Sequence, residues 1–311
     1  MQKKKPRTTH AQILKFPEKG LSEGLRKPLV QGRDYQIVAL NKNNIDTKEG
    51  QRMFQEMQAL LHENFPREEI ESEGQYHWDI TESWRSPFLV DLALDNAGKV
   101  IGAKLYNYSP TLNLIMTNIT VVAEGKRNRG IARALDSHSY ERVEGITCQK
   151  VELSIYEIER PDSSMDDKMR NEIRPRYHDN VTKAHAIRLP SGEPLQYILP
   201  IMASPEERRQ AAQDGEPFEE VELLFCISPE IEIDSRKVAG LLTWYYKEYL
   251  TFECNHTVES EIDSALIRTL ERLGADPGEV EVRLRAGDYE GIANSVPLTS
   301  LGLMKISQTM V

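Results

Sequence analysis

The stretch Ile119-Thr-Val-Val-Ala-Glu-Gly-Lys-Arg-Asn-Arg-Gly-Ile-Ala-Arg-Ala-Leu135 constrains the fold more than any other part of the chain. A β-branched run that reads as a strand passes through a short basic loop into a helical spacing at Ile131, Ala134, Leu135, His138 and Val143, which Gly145 is expected to stop. A helix that starts immediately after a strand exposes unpaired N–H groups and a positive dipole end. Lys126, Arg127, Arg129 and Arg133 add charge at the same point, Gly130 allows close backbone approach, and Ala132 keeps the next turn narrow. Such a helix start receives an anion, typically a phosphate. No Walker sequence and no GxGxxG run is present, so neither nucleoside triphosphate nor dinucleotide binding is favoured.

The surrounding pattern gives this loop a setting. Residues 35–40 read as a first strand, and 48–64 as a helix with Met53, Phe54, Met57, Leu60 and Leu61 on its inner face. Residues 63–86 read as irregular or short-helical. Two strand-forming runs, 88–94 and 100–106, flank the turn Asp95-Asn-Ala-Gly-Lys99 as a hairpin, with 113–122 as its third partner. Residues 150–159 alternate as a strand, and Pro161-Asp-Ser-Ser-Met-Asp-Asp reads as a capped start to a charged helix that Pro175 interrupts. Later strands are expected at 195–202 and 219–227, an amphipathic helix at 235–250, and another helix through Ile262, Ala265, Leu266 and Leu273 to Gly274. Val280, Val282 and Leu284 alternate as a final strand.

Charge narrows the partners. Of the net charge of −10, the first 33 residues carry +7 and the remainder −17. The chain therefore divides into a basic flexible tail (1–33), a main domain (34–251) and a C-terminal helix-strand extension (252–311). An acidic body disfavours nucleic acid and favours cationic small molecules or basic protein surfaces. No apolar run approaches the ~20 residues of a membrane span, and no apolar segment follows the basic start, so neither anchor nor signal peptide is read and a cytoplasmic location is expected. Cys148, Cys226 and Cys254 are too few and scattered for a disulfide framework. Cys254 and His256 lack a second ligand pair, so no metal site is expected.

Arg127-Asn-Arg-Gly-Ile-Ala132 resembles the Arg/Gln-x-x-Gly-x-Gly/Ala signature of the GNAT superfamily of acyl-CoA N-acyltransferases. In that family the signature follows the fourth strand and opens the third helix, the order read here. The resemblance covers residues 34–230. It implies a mixed α/β fold with a central, mostly antiparallel sheet flanked by helices. It further implies that the backbone of Arg127, Asn128, Arg129, Gly130, Ile131 and Ala132 holds the acetyl-CoA pyrophosphate. The backbone of Thr120, Val121 and Val122 would pair with the pantetheine arm as another strand would. Tyr177, in Arg174-Pro-Arg-Tyr177, stands where relatives carry the tyrosine that protonates the departing thiolate. The segments 196–200 and 221–227 would be the sixth and seventh strands.

The implied reaction is transfer of an acetyl group from acetyl-CoA, as co-substrate, to a primary amine of a small molecule or protein, by direct attack on the thioester. Alternatives are transfer of a longer acyl chain to an amino acid, or a non-catalytic acyl-CoA-binding or assembly protein. A homodimer is left open. The attacking amine must lose a proton. Some relatives place a glutamate about ten residues before the loop, where Met116, Thr117 and Asn118 stand here. Glu157 and Glu159 share one face of the next strand and are the candidate bases. His77 between Tyr76 and Trp78 reads as packing or an acceptor-pocket wall, His178 as a neighbour able to tune Tyr177, and Trp244, Tyr245, Tyr246 and Tyr249 as one buried helix stripe.

Overall fold

The computed structural model describes residues 34–65, 70–82, 87–159, 174–201, 205–215, 220–229, 231–250 and 259–309. The N-terminal tail, the helix start at 161–167, the Cys254–His256 pair and the side chain of Glu159 lie outside the described residues. The chain divides into two units, the first holding 34–115 and 119–151, the second 116–118 and 152–309. Ten strands are described, every described pairing is antiparallel, and helices flank them, the mixed α/β class expected. Among the described residues no helix is long and apolar enough to cross a membrane.

In the first unit, β1 (Tyr35–Leu40) pairs with β2 (Phe88–Asp95) from Tyr35↔Asp95 to Leu40↔Val90. In turn β2 pairs with β3 (Val100–Ser109), and β4 (Leu114–Val122) follows beside β3. Helix α1 (Lys48–Asn64) starts where the Thr47 hydroxyl accepts from the Gly50 N–H at 3.0 Å. Its inner face packs Met53, Phe54, Met57 and Leu61 with Val90, Leu92, Ala103 and Leu105. Residues Glu73–Glu82 form α2, a short helix within the segment read as irregular or short-helical. The opposite strand face packs Tyr35, Ile37, Ala93 and Ile101 against Ile131 and Leu135 of α3 (Ile131–Thr147). Both faces of β2 are covered, which explains its nearly unbroken apolar run. Helix α3 passes through Gly145 and ends at Cys148, whose left-handed backbone directs its N–H to the Glu144 carbonyl at 2.8 Å. An exposed glycine inside a helix costs only about 1 kcal/mol, too little to stop it.

Beneath α3 the apolar core is interrupted by charge. Asp91 on β2, fully buried, accepts hydrogen bonds from Arg142 Nη1 at 2.6 Å and the Tyr106 hydroxyl at 2.9 Å, and pairs with His138 Nδ1 at 2.9 Å. On β3 the Lys104 ammonium, also fully buried, donates to Asp136 at 2.6 Å and Ser139 at 2.8 Å. Burial opposes ionisation of Asp91, yet Arg142 and His138 together hold its carboxyl below the usual range. Its folded pKa is depressed, so its stabilisation is present above the unfolded value and lost as pH falls through the folded one.

The second unit is organised around β8 (Val221–Ser228). One edge of β8 pairs with β5 (Leu153–Glu159) from Ser154↔Ser228 to Glu159↔Leu223. The other edge takes β6 (His185–Arg188) near Cys226 and Ile227, and β7 (Gln196–Leu199) from Leu224 to Val221. A strand at 185–188 was not expected, so the 196–199 strand is seventh and Val221–Ser228 eighth. Helix α4 (Arg174–Tyr177) includes Pro175 and runs into a π-helical turn, His178–Thr182, before β6. Proline in a first turn removes no required N–H, so the chain stays helical through it. After α5 (Pro205–Asp214) and β8, the short β9 (Ile233–Asp234) leads into α6 (Ser235–Trp244), which continues as a π-helical turn, Tyr245–Leu250. Helix α7 (Glu259–Glu271) fills the expected position.

The strand expected through Val280, Val282 and Leu284 is instead helix α8 (Pro277–Ala286). Asp276 caps it by accepting from the Glu279 N–H at 2.9 Å, Pro277 opens its first turn, and Gly287 ends it in the left-handed region. Three alternating apolar residues are outweighed by both end signals, and Val282 is left 67% exposed. Helix α9 (Tyr289–Ser295) then leads to β10 (Ser300–Lys305), which pairs with β6 and β9.

Replacing Asp91 by Asn should cost about 3–5 kcal/mol of urea-unfolding stability at pH 7, because Arg142 is left buried without its counter-ion. The difference from the parent should shrink as pH falls through the acid transition. A loss below about 1 kcal/mol at neutral pH would show that the network carries little of the stability.

Candidate functional site

In the first unit, β4 ends at Val122 and a 3-10 turn, Glu124–Lys126, leads into the loop before α3. Asn128 and Gly130 have φ of 63° and 75°. At Gly130 this left-handed backbone brings the chain directly into the helix with no Cβ to strain it. Among the described residues, the backbone N–H groups of Arg129, Ile131, Ala132 and Arg133 have no protein partner; the first helical bond is from Ala134 to the Gly130 carbonyl, at 3.0 Å. Asn128, Arg129 and Gly130 are exposed, so these donors open to solvent. Gly102 on β3 lies beneath the helix start: a Cβ there would lie 3.0 Å from Ile131 and 3.2 Å from the Val121 carbonyl, so a larger residue would push these neighbours back by a few tenths of an ångström.

The loop's cations divide into two kinds. Arg127 holds the loop's shape, donating from Nε to the Val122 carbonyl at 3.1 Å and from Nη2 to Asn64 at 2.6 Å, and Lys126 lies 3.6 Å from Asp95. Arg129 and Arg133 are exposed and have no ion-pair partner among the described residues, so they are the charges available to an incoming anion. Along β4, Val121 is buried in the core, and the Val122 carbonyl keeps one lone pair beyond the bond from Arg127. The Thr120 hydroxyl is buried without a partner among the described residues, a polar atom left for a ligand to satisfy.

In the second unit, the carboxylate of Glu157 accepts hydrogen bonds from the hydroxyls of both Tyr197 and Tyr245. The rings of these tyrosines meet edge to face at 5.3 Å, and Tyr197 also meets Phe225, the register partner of Glu157 on β8, at 5.8 Å. Burial raises the Glu157 pKa above the ordinary glutamate range, and the two phenols offset part of that rise. Burial and the adjacent carboxylate raise both tyrosines well above 10, so their hydroxyls stay protonated as donors.

Tyr177 ends α4, with its ring 4.9 Å from that of His178, which in turn meets Tyr156 at 5.6 Å. Tyr156 and Glu157 are consecutive on β5 and face opposite ways. His178 and Tyr177 are thus gathered on the Tyr156 side, whereas Glu157 turns to Tyr197 and Tyr245. His77 pairs with Asp46 at 3.1 Å and packs edge-on to Phe54. Tyr245, read in sequence as core filling, is buried and also contacts the carboxylate; its 88-residue separation from Glu157 left no local signal.

Carbon-13 titration of the Glu157 carboxyl should give a midpoint above the ordinary range, and Tyr245→Phe should raise it further by removing a hydrogen bond to the charged form. Because the folded pKa is raised, the stability Glu157 contributes is full below its unfolded value and lost as pH rises through the folded one. An unshifted midpoint, or a lower one in Tyr245→Phe, would contradict this arrangement.

No protein-family model matches the sequence, and no curated protein matches it. Solved structures similar in shape include one of the NatC complex bound to Gag peptide and CoA, at 14% identity and TM-score 0.40 over 64% of this chain and all of that one. The catalytic domain of the Tetrahymena GCN5 histone acetyltransferase in complex with coenzyme A is 10% identical, with TM-score 0.36 over 62% of this chain and 92% of that one. A GNAT-family acetyltransferase from Staphylococcus aureus Mu50 is 11% identical, with TM-score 0.34 over 62% and 97% of the two chains. A first strand, two helices, a three-stranded antiparallel meander, then the Arg127–Ala132 loop opening a helix: in this order of elements the fold is GNAT-like.

Proposed function

We propose that the protein is a cytoplasmic acyltransferase that moves an acetyl group from acetyl-CoA to a primary amine of a small molecule or a protein. The observation that carries this reading is the row of N–H groups at Arg129 and Ile131 to Arg133, opened by Gly130 and flanked by the side chains of Arg129 and Arg133; neither those N–H groups nor those side chains have a partner among the described residues. Those groups suit a pyrophosphate, and the orphaned Thr120 hydroxyl on the preceding strand suits the polar groups of a pantetheine arm. Acetyl-CoA supplies an activated thioester: the amine nitrogen bonds to its carbonyl carbon, the carbon–sulfur bond breaks, and the thiolate leaves.

Two protons must be handled. We assign the proton lost by the amine to Glu157, whose desolvated carboxylate is a stronger base than an exposed one and is oriented by Tyr197 and Tyr245. Glu159, on the same strand face, is the second candidate. Tyr177, proposed as donor of the thiolate's proton, lies on the other side of β5 from Glu157, so the two groups would approach the thioester from different sides of that strand. The excess of acid over base in the chain suits a cationic acceptor.

Isothermal titration with acetyl-CoA should show saturable binding that weakens for analogues lacking phosphate, and Arg129→Glu should weaken it at least tenfold. Glu157→Gln should lower kcat against a responsive amine by about 10²–10⁴ while leaving the acetyl-CoA Kd within twofold. No binding at millimolar acetyl-CoA would overturn the reading. Binding without turnover across an amine library would replace the enzyme with an acyl-CoA-binding protein.

A further inference from the structure

The second unit contains a cavity of about 460 Å³ lined by Asp179, Asn180, Lys183, His185, Lys305 and Ser307, with Pro229 at its side. That volume lies in the range of small-molecule sites. Its charge runs against a chain of net charge −10. Lys305 on β10 and His185 on β6 are direct register partners, so two nitrogen-bearing side chains stand opposite each other across the ladder. Lys183 adds a second ammonium to the same lining, and like charges gathered there repel unless something between them compensates.

Little in the protein does so. Lys305 forms no ion pair among the described residues, and Lys183, held just past the π-helical turn at φ 56°, reaches only the Asp179 main-chain carbonyl, at 3.3 Å. Asp179, the one lining carboxylate, already accepts the Ile306 N–H at 2.9 Å. His185 Nδ1 is buried and has no hydrogen-bond partner among the described residues. The lining thus offers two ammonium groups, an imidazole, a serine hydroxyl and the amide of Asn180, which also donates to the Arg176 carbonyl at 2.8 Å, against one carboxylate already engaged.

We infer that this cavity is a binding site for a phosphate dianion, either inorganic phosphate or the phosphate of a small monoester. Lysines meet a phosphate as point charges from several directions, and its oxygens accept from imidazole and hydroxyl at once. A phosphate accepts at several oxygens at once, which suits a lining whose donors come from two segments, 179–185 and 305–307. These residues are separate from the Arg127–Ala132 loop and from Glu157, so the inference does not depend on the acyltransferase reading.

The test is calorimetric titration of the full chain with inorganic phosphate, glycerol 3-phosphate and malonate, at ionic strength held constant with sodium chloride. In an Arg129→Glu background, which removes the contribution of the Arg127–Ala132 loop, saturable one-site binding of at least one phosphate ligand is expected, weakened at least tenfold by adding Lys183→Gln/Lys305→Gln or Ser307→Asp. All of these side chains are exposed, and matched thermal midpoints confirm folding. Tighter binding of glycerol 3-phosphate identifies an ester as the ligand, and tighter binding of phosphate identifies the free ion; both support the site. Equal affinity with and without the added changes, no binding in the Arg129→Glu background, or malonate binding as tightly as either phosphate ligand would each overturn it.

Discussion

The first unit depends on the ion pairing of Asp91 with α3. Asp91 sits on a strand covered on both faces, where an unpaired carboxylate would be strongly disfavoured, and its partners His138 and Arg142 lie one helical turn apart on α3. Lys104, one strand over, is neutralised by Asp136 of the same helix. Apolar contacts at Ile131 and Leu135 would tolerate some sliding, but two buried ion pairs with fixed donors do not. They set the helix in one register, and Gly102 lets its start descend onto the strands. Desolvation costs and ionic gains nearly cancel in such pairs, so their larger contribution here is positional. The N–H groups ahead of Ala134 point where they do because the rest of α3 cannot shift.

A similar trade appears in the second unit on a smaller scale. Glu157 is kept from water, which raises its proton affinity, while two phenols keep it oriented. A carboxylate held this way is ready to take a proton in a way that an exposed strand-end glutamate is not. Tyr245, Tyr246 and Tyr249 share one face of the π-helical turn Tyr245–Leu250 and are all buried, the stripe their spacing predicts.

Much of the first unit was legible because its signals are local. The hairpin turn at Asp95–Lys99, the inner face of α1 and the change of period at Ile131 are set by neighbours in sequence. Glu157 was reachable through alternation alone. What was missed depends on distant partners or on weighing one local signal against another. The pairings of Asp91 with Arg142 and of Lys104 with Asp136 span 51 and 32 residues. The strands at 185–188 and 300–305 are short and gain their identity from each other and from their other partners, β8 and β9. At 277–286 the alternation of valines was weighed above Asp276, Pro277 and Gly287, although cap residues fix a helix end by hydrogen bonding and alternation only reports burial.

The central claim is that the backbone between β4 and α3 binds the phosphates of an acyl-CoA. Amide-resolved hydrogen exchange of the full chain, with and without acetyl-CoA, tests it most directly, because the donors in question are the exchanging groups themselves. The account predicts slowed exchange at Arg129, Ile131, Ala132 and Arg133 on addition of acetyl-CoA. Unchanged exchange at these four amides under saturating acetyl-CoA would contradict it.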